Sequence, residues 1–271
     1  MKLSTTIQPI VLALMFAHTV NALASDISPE IESCIRKNAP KATAIEKIRL
    51  TSEGNPEDMR YDDGQTLSAK VYWKHSSAGT SNMLAVFDEP DDILGSRLLF
   101  LEKTSENEIY LYMPALFKVR RITSDRISSS MYGMDFSYED FQFMYNMMAT
   151  AVSEQQPDTM INGEPMYVFA IAPGEGKKSL YEKIYSYFDK KSCVIQKVEF
   201  YERGGKLRKV LETEPGSIKI VNGILVPHKF QMSDIKKETK TELTVISVNI
   251  DPPIDDSFFE PAQLKEHRGI D

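Results

Sequence analysis

Apolar and polar residues alternate along most of the chain with a period of two, which is typical of half-buried β-strands. In one such stretch Leu67, Ala69, Val71 and Trp73 occupy every second position. Other stretches of strand length are Met83–Phe87, Arg97–Glu102, Asn107–Met113, Pro165–Ala172, Tyr181–Phe188, Cys193–Glu202, Lys206–Glu212 and Thr241–Ile250. Asn222-Gly223 separates two further short apolar runs and predicts a tight hairpin. The pattern therefore predicts a mainly β (α+β) fold with a large antiparallel sheet.

Two segments break this period and predict helices. Ser28-Pro29 can begin a short helix that ends near Lys37, since proline fits the first helical position. Ser137 followed by Asp140 resembles a capping box, and it predicts a helix from Tyr138 to about Met148. This second helix is apolar on all sides. It is therefore either an ordinary core helix or a cover that lies over an apolar groove.

The N-terminus has the pattern of a secretory signal peptide. Lys2 precedes an apolar stretch, and Ala22-Leu23-Ala24 has the small-x-small form of a cleavage site. The apolar run is shorter than the roughly 20 residues that a membrane-spanning helix needs. We predict a cleaved signal peptide over residues 1–24, a single domain over residues 25–271, and a periplasmic location.

The net charge argues against a nucleic-acid partner. The chain carries a formal charge of −7. Lys2 is the one charged residue of the predicted signal peptide, so its removal makes the mature charge −8. Nucleic-acid binding requires a basic surface that neutralises phosphates, and no basic stripe is present.

Cys34 and Cys193 are the two cysteines of the chain. They form either a long-range disulfide or two separate buried thiols. Export to an oxidising compartment favours the disulfide.

Motifs that indicate catalysis or metal binding are absent from the sequence. His75, His228 and His267 are isolated from one another and lack the spacing of metal ligands. Neither a nucleophile elbow nor a metalloprotease motif occurs. We therefore expect no metal site, no cofactor and no enzymatic activity. Charged residues within the strand Lys206–Glu212 also disfavour an integral outer-membrane barrel, whose strands present an apolar face to lipid.

Several segments, in this order, resemble one known family. They are Asp88–Gly95 with the following strand Leu98–Leu101, Tyr110–Leu116, Lys118–Ile122, Met131–Phe141, Val198–Leu207 and Phe258-Phe259. Together they resemble the outer-membrane lipoprotein-sorting family of LolA/LolB-like periplasmic carriers. The similarity is greater to the branch that is associated with inner-membrane RND-type lipid exporters.

The resemblance implies a strongly curved antiparallel sheet, a half-open β-barrel with lid helices over its opening. It also implies a monomeric carrier that binds lipid or lipoprotein acyl chains, contacts membranes transiently and works with an RND-type transporter. Under this interpretation five residues line the apolar cavity: Trp73, Phe136, Phe141, Met144 and Met148. Arg120 and Arg121 are candidates for contact with a headgroup or a partner, or are simply solvated. The alternative function is a periplasmic sensor or adaptor that binds lipid or misfolded protein and signals through a partner.

Overall fold

The computed structural model describes residues 29–53, 64–76, 79–103, 106–148, 151–174 and 178–266. The predicted signal peptide lies outside them. The two α-helices are α1 Pro29–Arg36 and α2 Tyr138–Met144. The strands are β1 Thr43–Ser52, β2 Gln65–His75, β3 Ser81–Glu89, β4 Arg97–Leu101, β5 Glu108–Met113, β6 Lys118–Ile122, β7 Val152–Ile161, β8 Glu164–Ala172, β9 Tyr181–Asp189, β10 Ile195–Glu202, β11 Lys206–Thr213, β12 Ile218–Val221, β13 Ile224–Pro227, β14 Lys229–Asp234 and β15 Thr239–Ile250. Short 3₁₀ helices occur at Asp91–Ile93, Pro114–Leu116, Ser124–Arg126, Pro215–Ser217, Asp256–Phe259 and Pro261–Lys265.

Thirteen of these strands form one curved antiparallel sheet in the order β6-β5-β4-β3-β2-β1-β15-β14-β11-β10-β9-β8-β7. The two edge strands, β6 and β7, are consecutive in the chain and do not pair with each other. The sheet is therefore open between them, and the predicted half-open barrel is confirmed. The chain between β6 and β7 has to cross this opening. We name residues 123–148 of this connection the crossing segment.

The sheet buries apolar side chains on both faces. The inner face holds the larger cluster, which includes Trp73 of β2, Phe100 of β4, Phe200 of β10 and residues of the crossing segment. On the outer face, Leu99 and its neighbours are covered by the C-terminal 3₁₀ helices at residues 256–265. The outer face of β2–β5 is thus covered by the C-terminal 3₁₀ helices, whereas the inner face is covered by the crossing segment.

The helix α2 is shorter than the sequence predicts. It begins with the predicted capping box: Ser137 Oγ accepts from the Asp140 backbone N–H, and the Asp140 carboxylate accepts from the Ser137 N–H. It ends at Met144, four residues before the predicted end, because Asn146 adopts a left-handed conformation with φ +54°. Within the described residues no helix is long and apolar enough to cross a bilayer.

The disulfide Cys34–Cys193 is confirmed, with a Cα–Cα distance of 5.3 Å. It joins α1 to the turn between β9 and β10. Asn38, just after α1, adds two hydrogen bonds: it donates to the Ser192 carbonyl and accepts from the Leu225 N–H of the β12–β13 hairpin. These contacts fix α1 against the sheet.

Candidate functional site

The space between the inner face of the sheet and the opening is filled by the crossing segment itself. This segment buries eight large apolar side chains, each at most 3% exposed: Met131, Met134, Phe136, Phe141, Phe143, Met144, Tyr145 and Met147. Methionine and aromatic side chains dominate this set. Unbranched methionine adapts its shape to irregular spaces, so such a lining can repack around a different occupant.

The crossing segment contacts both halves of the sheet. On one side the ring of Tyr132 lies edge-on to Phe87 of β3, with centroids 5.2 Å apart. On the other side Phe143 lies edge-on to Phe200 of β10 at 5.5 Å. The segment therefore bridges the two walls of the half-barrel from within.

The structure brings together the five residues that the sequence predicts as cavity lining. Trp73, Phe136, Phe141 and Met144 belong to the inner cluster and are almost fully buried. Met148 is partly buried and packs against the same cluster. The apolar interior is thus already occupied by four side chains of the crossing segment that were predicted to face a ligand. Whether they contact an acyl chain stays a prediction.

A buried ion pair attaches α2 to the sheet. The Lys209 ammonium of β11 lies 2.7 Å from Asp140 Oδ2. The other carboxylate oxygen of Asp140 accepts a hydrogen bond of 2.6 Å from the Tyr181 hydroxyl of β9. Burial, and secondarily the negative charge of Asp140, raises the pKa of Tyr181 well above its ordinary value, so this hydroxyl remains a donor.

A second attachment lies at the end of α2. The Trp73 indole N–H donates to the Tyr145 carbonyl over 3.2 Å, and the Tyr145 hydroxyl donates to Glu46 of β1 over 3.3 Å. Burial, followed by the charge of Glu46, raises the pKa of Tyr145 well above its ordinary value. Two central strands of the sheet, β1 and β2, therefore hold the C-terminal end of the helix.

A third attachment precedes α2. The Asp135 carboxylate accepts hydrogen bonds from the hydroxyls of Thr239 and Thr241 on β15, the latter over 2.8 Å. The Asp135 backbone N–H returns a hydrogen bond of 3.0 Å to the Thr241 hydroxyl. Three hydrogen bonds therefore fix the chain before α2 to β15.

Glu139 forms a fourth attachment, to the chain that leads into β9. Its carboxylate accepts from the Ser179 hydroxyl and from the Leu180 N–H, the latter over 3.0 Å. Glu139 is 4% exposed. Burial raises its pKa from 4.5 to about 7, although the hydrogen bonds from Ser179 and Leu180 oppose this shift.

A cleft of about 270 Å³ opens beside α2, between the β4–β5 turn, the end of β6 and the chain before β9. Its lining includes Lys103, Asn107, Arg121, Ile122, Thr123, Ile127, Glu139, Gln142, Met147, Met148, Ala151, Pro173, Lys178 and Ser179. Of the predicted residues, Met148 and Arg121 lie in this lining. Arg120 is exposed on β6 and does not contribute to it.

The polar attachments were not predicted from the sequence, although one signal was available. In β11, Lys209 alternates with Leu211 and therefore shares the inner, buried face of the strand. A charged residue at such a position requires a partner, because an unpaired buried charge is costly. The sequence predicts only the capping role of Asp140 at the start of α2, which Asp140 combines with the ion pair to Lys209.

Within the described residues no group of three or more His, Cys, Asp or Glu side chains has a metal-binding arrangement.

Comparison with solved structures identifies the same fold. A domain described as an outer membrane lipoprotein-sorting protein from Vibrio parahaemolyticus superposes with a TM-score of 0.76, at 24% identity over 87% of this chain and 97% of that one. A DUF1329 family protein from Desulfovibrio piger gives a TM-score of 0.76 at 20% identity, over 87% of this chain and 96% of that one. A LolA superfamily protein from Nitrosomonas europaea gives 0.66 at 17% identity, over 85% and 96% of the two chains.

These comparisons define the class of protein. The chain has the fold of the LolA-like lipoprotein-sorting proteins, and the resemblance predicted from the sequence is confirmed at the level of the fold. A protein-family model described as "Uncharacterized protein" matches residues 79–266, which is more than half of the chain. The chain therefore belongs to that family. No curated protein sequence matches it.

Proposed function

We propose that this protein is a periplasmic carrier that holds the acyl chains of a lipid or lipoprotein inside the half-barrel. The observation that carries the proposal is the construction of the interior. A large apolar sheet face is closed by a single crossing segment that fills the space with its own methionine and aromatic side chains. An acyl chain can replace these side chains because both occupants offer the sheet the same apolar contact.

The energetics of transport require such an interior. Each methylene group that is withdrawn from water contributes about 0.8 kcal/mol, so a chain of a dozen carbons costs about 10 kcal/mol to leave exposed. The carrier has to offset this cost and still release its cargo. Displacement of an internal occupant meets both needs, because the crossing segment re-enters the interior when the lipid leaves.

The structure of the crossing segment is suited to displacement. The helix α2 has seven residues, and isolated helices shorter than about 12 residues are marginal in water. Its stability therefore depends on packing and on the polar attachments through Asp135, Glu139, Asp140 and Tyr145. Water can satisfy these groups when the segment moves outward, so their loss is compensated in the open state.

The proposed location and partner rest on other observations. A disulfide forms in oxidising compartments such as the periplasm, and Cys34 and Cys193 are joined. The predicted signal peptide is in agreement with this location. The resemblance to the exporter-associated branch adds an inner-membrane RND-type transporter as partner, transient membrane contact and a monomeric state to the proposal.

The direct test is mass spectrometry of an organic extract of the mature protein, purified from a periplasm without detergent. We expect a stoichiometric lipid or lipoprotein. The sole tryptophan supplies a second readout, since the Trp73 indole is bonded to the crossing segment at Tyr145. Its emission should shift when delipidated protein binds lipid. An extract without lipid, together with unchanged emission after incubation with membranes, would exclude the carrier and favour a protein-binding sensor or adaptor.

A further inference from the structure

The cleft beside α2 combines two kinds of surface. Five residues of the lining are apolar: Ile122, Ile127, Met147, Met148 and Ala151. The lining also includes three cations from three separate parts of the chain: Lys103 after β4, Arg121 of β6 and Lys178 before β9.

We propose that this cleft is the entry site for an anionic amphiphile, whose charged headgroup is held by Lys103, Arg121 and Lys178 while its acyl chain follows the apolar wall towards the interior. The inference rests on the proposed carrier function and adds the class of cargo to it. The headgroup is a phosphodiester or a carboxylate, since both present oxygen acceptors with a negative charge.

The charges of the cleft support an anionic ligand. No described carboxylate forms a salt bridge with Lys103 or Lys178. The pKa of Asp125 is lowered by hydrogen bonds from Thr123 and from its own backbone and, to a smaller extent, by the charge of Lys178, so Asp125 is the acidic neighbour of that lysine. Arg121 has one carboxylate neighbour, Glu108, at 3.4 Å, and the Arg121 side chain is half exposed. An ion pair of this kind contributes little, so Arg121 can exchange its partner for a ligand oxygen at small cost.

Two acidic residues also line the cleft, against three cations. Glu106 is exposed, whereas Glu139 is buried and already accepts from Ser179 and Leu180. The lining therefore retains an excess of one positive charge even when both carboxylates are ionised.

The size of the cleft indicates an entry site, not a complete binding site. Its volume of about 270 Å³ is below the range of about 300–1,000 Å³ that is typical of small-molecule sites. It can accept a headgroup and the first carbons of a chain. Met147 and Met148 lie between the cleft and the inner cluster, so the remaining carbons would enter as the crossing segment is displaced.

The test compares ligands that share acyl chains and differ in charge. Delipidated full-length mature protein is titrated with dioctanoyl phosphatidylglycerol, dioctanoyl phosphatidylcholine and a fatty acid, with Trp73 emission and native mass spectrometry as readouts. Inorganic phosphate serves as a headgroup without a chain. The cleft variant carries Lys103→Gln, Arg121→Gln and Lys178→Gln. A matched control with the same loss of charge carries Lys118→Gln, Lys206→Gln and Lys219→Gln, which are exposed positions outside the cleft lining.

We expect the protein to prefer the anionic over the zwitterionic phospholipid by about tenfold, the combined effect of three exposed charge contacts. The preference should disappear in the cleft variant and persist in the control variant. The fatty acid distinguishes a carboxylate from a phosphodiester headgroup, and phosphate alone should not displace either lipid.

Two results would overturn the inference. Equal binding of both phospholipids would do so, as would an anionic preference that survives in the cleft variant. In both cases the carrier function stands, because lipid is still bound. Failure to bind any of the acyl ligands would instead contradict the proposed function itself.

Discussion

The ammonium of Lys209 and the carboxylate of Asp140 lie 2.7 Å apart, and both side chains are almost completely buried. Lys209 belongs to a strand of the sheet and Asp140 to the helix that crosses its opening. A buried ion pair is costly to break when only one partner is removed, because the remaining charge has no water to solvate it. This pair therefore links the closure of the half-barrel to its stability.

Replacement of Lys209 with methionine should destabilise the protein strongly. Asp140 would keep the hydrogen bonds from Tyr181 and Ser137 but lose its counter-charge. We expect a loss of about 3–5 kcal/mol in the free energy of unfolding, measured by urea denaturation. The double variant Lys209→Met/Asp140→Asn should recover part of this loss, since neither charge remains. Additive effects of the two substitutions would show that the pair is not coupled.

Glu139 makes the stability of the protein depend on pH. Its pKa is raised from 4.5 to about 7 by burial, so the folded state binds the proton more tightly than the unfolded state. The resulting stabilisation is fully present below pH 4.5 and is lost as the pH rises to about 7. Glu139→Gln, which keeps an acceptor and removes the charge, should therefore be more stable than wild type at about pH 8 and similar to it at about pH 4.

The expected gain of Glu139→Gln above pH 7 is at most about 3 kcal/mol, from a shift of this size. Glu106→Gln is the matched control, because Glu106 lies in the same cleft and is exposed. Its free energy of unfolding should follow that of the wild type at every pH. If Glu139→Gln is as stable as wild type at about pH 8, the carboxylate is not desolvated as the structure indicates.

The strands that the sequence predicts are those with large apolar side chains on one face. The edge strand β7 was missed because its central part, Ser153–Thr159, has no aliphatic or aromatic residue and includes Pro157 at a break in the register with β8. Polar composition, proline and bulges are features of edge strands, which must avoid pairing with other chains. The strand β1 was also missed, since Glu46 occupies the buried face together with Ile48.

The candidate site could be predicted in part. The capping box follows from two residues three positions apart, and such local signals are visible in a sequence. The attachment of Lys209 to Asp140 joins residues 69 positions apart, and that of Tyr145 to Glu46 joins residues 99 positions apart. These pairs depend on the curvature of the whole sheet, so a single sequence shows only that a charged residue lies on an apolar face. The early end of α2 at Met144 is followed by a left-handed Asn146, a conformation that the sequence alone does not specify.

Loss of the disulfide should lower stability without a change of fold. The bond joins residues separated by 159 positions, and the chain-entropy model gives an upper bound of about 5 kcal/mol for a loop of this length. We expect Cys34→Ala/Cys193→Ala to unfold at a lower urea concentration and to retain the far-UV circular dichroism of the sheet. The Asn38 hydrogen bonds should keep α1 near its place. A double variant as stable as the oxidised wild type would contradict this prediction.

Truncation of a side chain in the crossing segment should have opposite effects on stability and on lipid affinity. Met144 is fully buried in the closed state, so Met144→Ala should cost about 2–5 kcal/mol in the free energy of unfolding. In the proposed open state this side chain has left the interior, and the substitution costs less there. Opening therefore becomes easier, and the apparent affinity for lipid should rise, by about tenfold for each 1.4 kcal/mol that the closed state loses relative to the open one.

Leu99→Ala is the control for this effect. Leu99 is as deeply buried as Met144, but it lies on the outer face beneath the C-terminal 3₁₀ helices. Its truncation should destabilise the closed and the open state equally and leave lipid affinity unchanged, as measured by titration of Trp73 emission. If Met144→Ala weakens lipid binding instead, Met144 contacts the bound lipid directly and is not displaced by it. In that case the side chains of the crossing segment line the cavity and contact the bound lipid. A side chain that only fills the empty interior makes no such contact, so it cannot contribute to the affinity for lipid.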